Sequence, residues 1–243
     1  MYSPLGEFNR EVTGLSGQSV FPEKKPKNMR RRQPGHPGKE EADGAQMLLR
    51  AAQASFAQSG FKATSIREIA QAAGVHHALV IHRFGSKEEL WLAVMDRIRT
   101  YLEPFIRDLR HLQEVRQATV QERVKEAFRI LVAAISGEPD CALLLSRIAS
   151  ERGKAFDLLV EKLLRPFHDA FCPLLKEAMN AGTVAEQDPE MLYFMVFNAV
   201  IASISSCQIL NYFDEHPRSL EKTQEDVAQF LALNILHPNI REA

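Results

Sequence analysis

The side chains best suited to chemistry lie between Thr64 and Lys87, in the run TSIREIAQAAGVHHALVIHRFGSK. Arg67 carries a planar guanidinium that can pair bidentately with guanine or with phosphate. Lys87 brings an ammonium to the start of a predicted helix, where unpaired backbone N–H groups also favour an anion. His76, His77 and His82 lack the i, i+4 spacing that sets two ligands on one helix face, so no metal site is expected there. The chain has no glycine-rich phosphate loop, no GxSxG, no HExxH and no local Cys/His signature. An enzyme is therefore not expected, and neither is a cofactor. The chemistry on offer is recognition of anions and base edges.

These side chains need short helices to hold them. Thr64 or Ser65 is placed to cap one helix, with Glu68 three residues past Ser65 as a capping box. Ala73-Gly74-Val75 makes a tight turn, and a further short helix is expected at about 76–82. Ile66, Ile69, Ala70 and Val75 give the pair an apolar face, continued by Val80 and Phe84. This is the pattern of a helix-turn-helix, whose second element enters a DNA major groove. A preceding helix over about 43–59, stopped by Gly60, supplies the stripe Met47, Leu48, Ala51, Ala52, Ser55 and Phe56. A following helix, capped by Ser86, braces the pair through Leu90 and Trp91 and reaches Glu103, where Pro104 is expected to interrupt or bend it.

Charge divides the chain in the same way. Residues 24–103 hold 14 Lys/Arg against 8 Asp/Glu, a net +6; residues 104–243 hold 15 against 20, a net −5. A basic first half suits a polyanion, whereas the second half does not. Residues 1–38 read as a proline- and glycine-rich tail without a packed core. Its cluster Lys24, Lys25, Lys27, Arg30, Arg31 and Arg32 is either a solvated tail or an arm that orders along DNA phosphates. Met29 reads as a plausible start, so residues 1–28 are expected to be an upstream extension. Three cysteines about thirty residues apart, Cys141, Cys172 and Cys207, fit small core side chains in a reducing cytoplasm. No leader segment is expected, because the first thirty residues lack an apolar core region.

The combination resembles the N-terminal domain of TetR-type transcriptional regulators. The matching pieces are Phe56 with Gly60-Phe61, the run Thr64–Ala70, Ala73-Gly74-Val75, and His82-Arg83-Phe84-Gly85-Ser86-Lys87-Glu88-Glu89-Leu90. They cover about 45–92. The resemblance implies that Thr64, Ser65 and Arg67 face backbone and groove, that His76, His77, Ala78 and His82 lie on the recognition helix, and that Lys87 meets a phosphate. The family usually carries a small polar residue at His76, Gly at Ala78, Thr at Leu79 and Tyr at Ile81. Leu79 and Ile81 cannot donate hydrogen bonds to phosphate, and Ile81 is expected to meet a thymine methyl instead.

The second half reads as long helices, about 105–114, 119–135, 139–151, 153–180, 189–211 and 219–236. Pro166 and Pro173 predict a kinked or split 153–180 helix. The fold class is thus all-α: a tail over 1–38, a helix-turn-helix domain over 39–88 and a helical regulatory domain over 89–243. The resemblance implies that this last domain binds a small molecule and dimerises through its last two helices. Independent support comes from Met191–Leu210, uncharged over twenty residues, and from the stripe Val227, Phe230, Leu231, Leu233, Asn234, Ile235 and Leu236. Asn198, Ser203, Ser205, Ser206 and Gln208, with no basic flank, favour a buried helix or subunit interface over a membrane span. Phe128, Phe167, His168, Phe171 and Phe194, with Phe156, Cys172, Met179 and Phe197 nearby, suit a largely apolar effector. The expected function is a homodimeric regulator, a repressor acting at a palindromic operator. The alternative is an all-helical protein-interaction module whose helix-turn-helix does not bind DNA. A steep salt dependence on random DNA separates the two.

Overall fold

The computed structural model describes residues 39–213 and 216–236, and the basic cluster and the Met29 start lie outside them. The described residues form eleven α-helices: α1 Lys39–Ala63, α2 Ile66–Ala72, α3 His77–Phe84, α4 Lys87–Leu112, α5 Val120–Ser136, α6 Pro139–Ile148, α7 Lys154–Leu159, α8 Arg165–Asn180, α9 Pro189–Ser205, α10 Cys207–Phe213 and α11 Leu220–Ile235. One isolated bridge, Val184 with Leu236, is the only extended pairing among them.

Local chemistry explains most boundaries. Ser65, Ser86, Thr119, Asp188 and Ser219 each accept a backbone N–H of the helix they open. As the sequence reading expects, the first helix is interrupted at Gly60. Its φ of 81° departs from the helix, and the chain turns once more before Ala63.

One proline expectation is corrected and another holds. The fourth helix does not stop at Pro104 but runs unbroken to Leu112. Leu102 and Ile106 are buried on either side of the exposed Pro104, so the packed face outweighs one lost hydrogen bond. The 153–180 stretch does split, at a π turn over Val160–Leu164 just before Pro166, where the Arg165 N–H reaches back to the Val160 carbonyl. Pro173 instead rides on the exposed side of an intact α8.

The core is continuous along α4. At its start, Leu90, Trp91 and Val94 join Phe56 of α1, Ile69 of α2 and Val80 of α3, with the Phe56 and Trp91 rings edge to face at 5.1 Å. Further along, Ile98, Leu102, Ile106 and Leu109 are buried with Phe128 and Leu131 of α5 and with Phe167 and Phe171 of α8. One helix therefore serves both halves of the fold. The uncharged stretch predicted as a single helix over 189–211 breaks after Ser205, and α9 and α10 meet at a bend of 67°. No single described helix is long and apolar enough to cross a membrane. Within one chain α9 is buried on one face only, through Leu192, Tyr193, Val196, Val200, Ile201 and Ile204.

Candidate nucleic-acid interface

The start of α2 is held by a reciprocal cap. The Glu68 N–H donates to Ser65 Oγ at 3.2 Å, and the Ser65 N–H donates to Glu68 Oε2 at 2.7 Å. The Ser65 backbone N–H, and then its hydroxyl, hold the Glu68 carboxyl below the usual glutamate range. Arg67, in the first turn, is exposed, as is Ser65. Thr64 corrects its expected role in meeting the backbone and groove. It is only 2% exposed, and its hydroxyl donates to the carbonyls of Gly60 at 2.7 Å and Ser55 at 3.1 Å. Its side chain anchors the bend after α1.

The turn into α3 passes through Gly74 at φ 66°, and the Val75 N–H donates to the Ala70 carbonyl at 2.9 Å. His76 caps α3: its Nδ1 accepts the Ala78 N–H at 3.3 Å, and its ring lies 4.4 Å from that of half-buried His77. Val80 points into the core while Ala78, Leu79, Ile81, His82 and Arg83 are exposed. Leu79 and Ile81 keep 48% and 47% of their surface in solvent, but two residues apart they leave the helix on different sides. Sequence reasoning singled out Ile81 for base contact, and Ile81 is exposed on the same side as Ala78 and His82.

Lys87 is already engaged. Its Nζ donates to the carbonyls of Phe61 at 3.0 Å, Lys62 at 3.4 Å and Thr64 at 3.1 Å, and sits 4.6 Å from the centre of the Phe61 ring. Those carbonyls lie at and just past the end of α1, where a cation is favoured by the helix dipole. The ammonium thus fixes α1 against α4.

The residues expected to meet an effector separate. Phe167 joins Leu102, Ile135, Cys141, Leu163 and Phe197 around a wholly apolar cavity of about 20 Å³, next to the π turn. Phe128 and Phe171 stack in the core with ring centres 6.1 Å apart. His168 sits at the surface between α8 and α9, with its ring edge-on to Tyr193 at 5.1 Å. Phe194 is corrected as a pocket residue: it is exposed, with Met191 and Met195, on the open face of α9.

A polar clasp joins the two regions. Arg97 of α4 pairs with Glu138, the residue before α6, at 2.9 Å, and also donates to the buried Gln53 of α1. Gln53 in turn donates to Glu138 at 3.4 Å.

Comparison with known proteins agrees with this geometry. Residues 48–94 match the model of bacterial regulatory proteins, tetR family. The HTH-type transcriptional regulator RutR of Escherichia coli (strain K12) is 28% identical over 153 residues, which span 62% of this chain and 68% of RutR. The HTH-type transcriptional repressor Rv3405c of Mycobacterium tuberculosis is 44% identical over 78 residues, 32% of this chain and 39% of that one. Among solved structures, AibR in complex with isovaleryl coenzyme A and operator DNA superposes with a TM-score of 0.62 at 19% identity, covering 80% of this chain and 99% of AibR. At that identity the likeness speaks for the fold alone. Residues 48–94 thus carry the helix-turn-helix domain of the tetR family of bacterial regulatory proteins, and the helices that follow share the fold of solved regulators of that type.

Proposed function

We propose that the protein is a ligand-responsive repressor that binds a palindromic operator as a homodimer. The observation that carries this reading is the outward surface of α2 and α3. Ser65, Arg67, Ala78, Ile81 and His82 are all exposed on elements whose buried faces pack against α1 and α4, with His76 and His77 at the start of α3. Arg67 has no ion-pair partner among the described residues, which leaves its guanidinium for a base edge or phosphate. Ile81 supplies apolar contact to a thymine methyl group. Lys87 acts chiefly by fixing α1 to α4 and adds positive potential near the backbone.

Homodimerisation is supported by the bare apolar faces of α9 and α11. Met191, Phe194 and Met195 are exposed on one, and Phe230 and Leu233 on the other. Patches of this kind are covered in stable soluble proteins, and two helices from each protomer suit a four-helix seam across a two-fold axis. The effector is a largely apolar small molecule that enters the cavity between Phe167 and Phe197. That cavity now holds about one water's volume, so binding requires the π turn and α8 to move. The clasp Arg97–Gln53–Glu138 then passes the movement to α1. An effector that empties the operator must bind the moved conformer better by several kcal/mol, since equal affinity for both shifts nothing. The protein acts in the cytoplasm, where its operator is.

Selection of bound sequences from random duplex DNA tests this reading, with wild type beside Arg67→Ala. One palindrome should be enriched, and the variant should bind it roughly 5- to 150-fold more weakly, the equivalent of about 1–3 kcal/mol for a bidentate base contact. Absence of enrichment at low salt, together with a flat salt dependence, would establish the protein-interaction reading in its place.

A further inference from the structure

One side-chain cluster lies apart from both the helix-turn-helix surface and the apolar cavity at Phe167. On α8, His168 and Cys172 are four residues apart and share a face. Glu190, in the first turn of α9, reaches across to both. His168 Nε2 and Glu190 Oε2 are in hydrogen-bond contact, and Cys172 Sγ lies 3.7 Å from the same oxygen. The three ligand atoms fall within 4.8 Å of one another, the span expected of groups around a single ion.

Three further observations point to an ion. Asp169 Oδ1 lies 2.8 Å from His168 Nδ1, the outer carboxylate that typically orients a ligating imidazole. Tyr193 is buried beside the cluster, its ring edge-on to that of His168, and its hydroxyl has no hydrogen-bond partner among the described residues. An unpaired buried hydroxyl is costly, and a metal-bound water would satisfy it. The donor set is also selective: one imidazole, one thiol and one carboxylate suit zinc and its neighbours, whereas calcium and magnesium prefer oxygen alone.

We propose that His168, Cys172 and Glu190 form a binding site for one zinc-class divalent transition-metal ion, which ties α8 to the start of α9. A water completes the tetrahedron on the Tyr193 side. Lys176, whose Nζ lies 3.1 Å from Glu190 Oε1, competes with the ion for that carboxylate and swings into solvent when the ion binds. A thiol ligates as thiolate, so the ion enters by displacing the Cys172 proton to solvent.

The test uses the full chain stripped with a chelator and titrated with Co²⁺. Binding should saturate at one equivalent and give the thiolate-to-cobalt charge-transfer band, which Zn²⁺ then bleaches. Cys172→Ser should remove the band, while Cys207→Ser leaves it intact. Glu190→Gln, a change at an exposed position that leaves the fold in place, should weaken Zn²⁺ binding at least tenfold. Lys176→Met should strengthen it. A wild-type protein that binds Co²⁺ without the band, or a band that survives Cys172→Ser, would overturn the proposal and leave the cluster as a plain hydrogen-bond network. Neither result depends on DNA binding.

Discussion

Arg67 and Lys87 were both expected at the DNA, and the structure gives them different surroundings. Arg67 stands in solvent, whereas Lys87 spends its three donors on carbonyls at the end of α1. Lys87→Met should therefore lower stability measurably, by about 1.5–3 kcal/mol for hydrogen bonds to a charged group, read from a urea midpoint. Arg67→Ala should leave that midpoint within about 0.5 kcal/mol, as is usual for surface changes. A second charged contact sits far from the interface. Arg123 is buried and pairs with Glu177, whose carboxyl is held below the usual glutamate range first by the guanidinium hydrogen bonds, against an opposing cost of burial. A depressed carboxyl stabilises the fold above its unfolded pKa, and that contribution is lost as pH falls through the folded value. Acid titration followed by circular dichroism should show wild type losing stability below the ordinary glutamate range. Glu177→Gln should start lower and lose less over the same interval.

At the scale of elements, the caps were legible because they are local. Ser65 with Glu68 and Ser86 each carry their own instruction, and the helix-turn-helix follows from them and from the apolar spacing around Gly74. Thr64 was misplaced because a hydroxyl before a helix reads as surface, and only the bend at Gly60 turns it inward. Pro104 misled for a related reason: propensity is local, while the stripe that carries α4 through it is anchored by α1, α5 and α8. The His168–Cys172–Glu190 cluster was half visible, since the i, i+4 pair can be read from the chain but the arrival of Glu190 depends on how α9 folds back. Two glycines give opposite forecasts for one substitution. Gly44 lies within α1 with open space around its absent Cβ, so Gly44→Ala should raise the melting temperature, worth about 0.5–1 kcal/mol. Gly60 has φ 81°, and a Cβ there would come within 2.3 Å of Glu151 Oε1, so Gly60→Ala should lower it by more than that.

The whole molecule has a lopsided finish. Its interior is closed, yet Phe230 and Leu233 of α11 keep 63% and 72% of their surface in solvent. On the proposed function, a second copy of the chain is the occupant that covers them. Leu233→Glu should yield a monomer by sedimentation velocity and cost operator affinity far more than random-DNA affinity; an unchanged dimer would move the seam elsewhere. Sequence suggested this face through the uncharged stretch before Leu210, but not that α9 would bury one side and leave the other bare. The length of α4 has a consequence of its own. Its 26 residues make a rod of about 39 Å. Pivoted where Leu109 is gripped, such a rod amplifies: a tilt of about 5° carries its tip, and with it the grip of Lys87 on α1, through roughly 3 Å. One step along a DNA strand is about 3.4 Å. On the proposed function, a tilt of that size in response to an effector would displace the helix-turn-helix by about one such step.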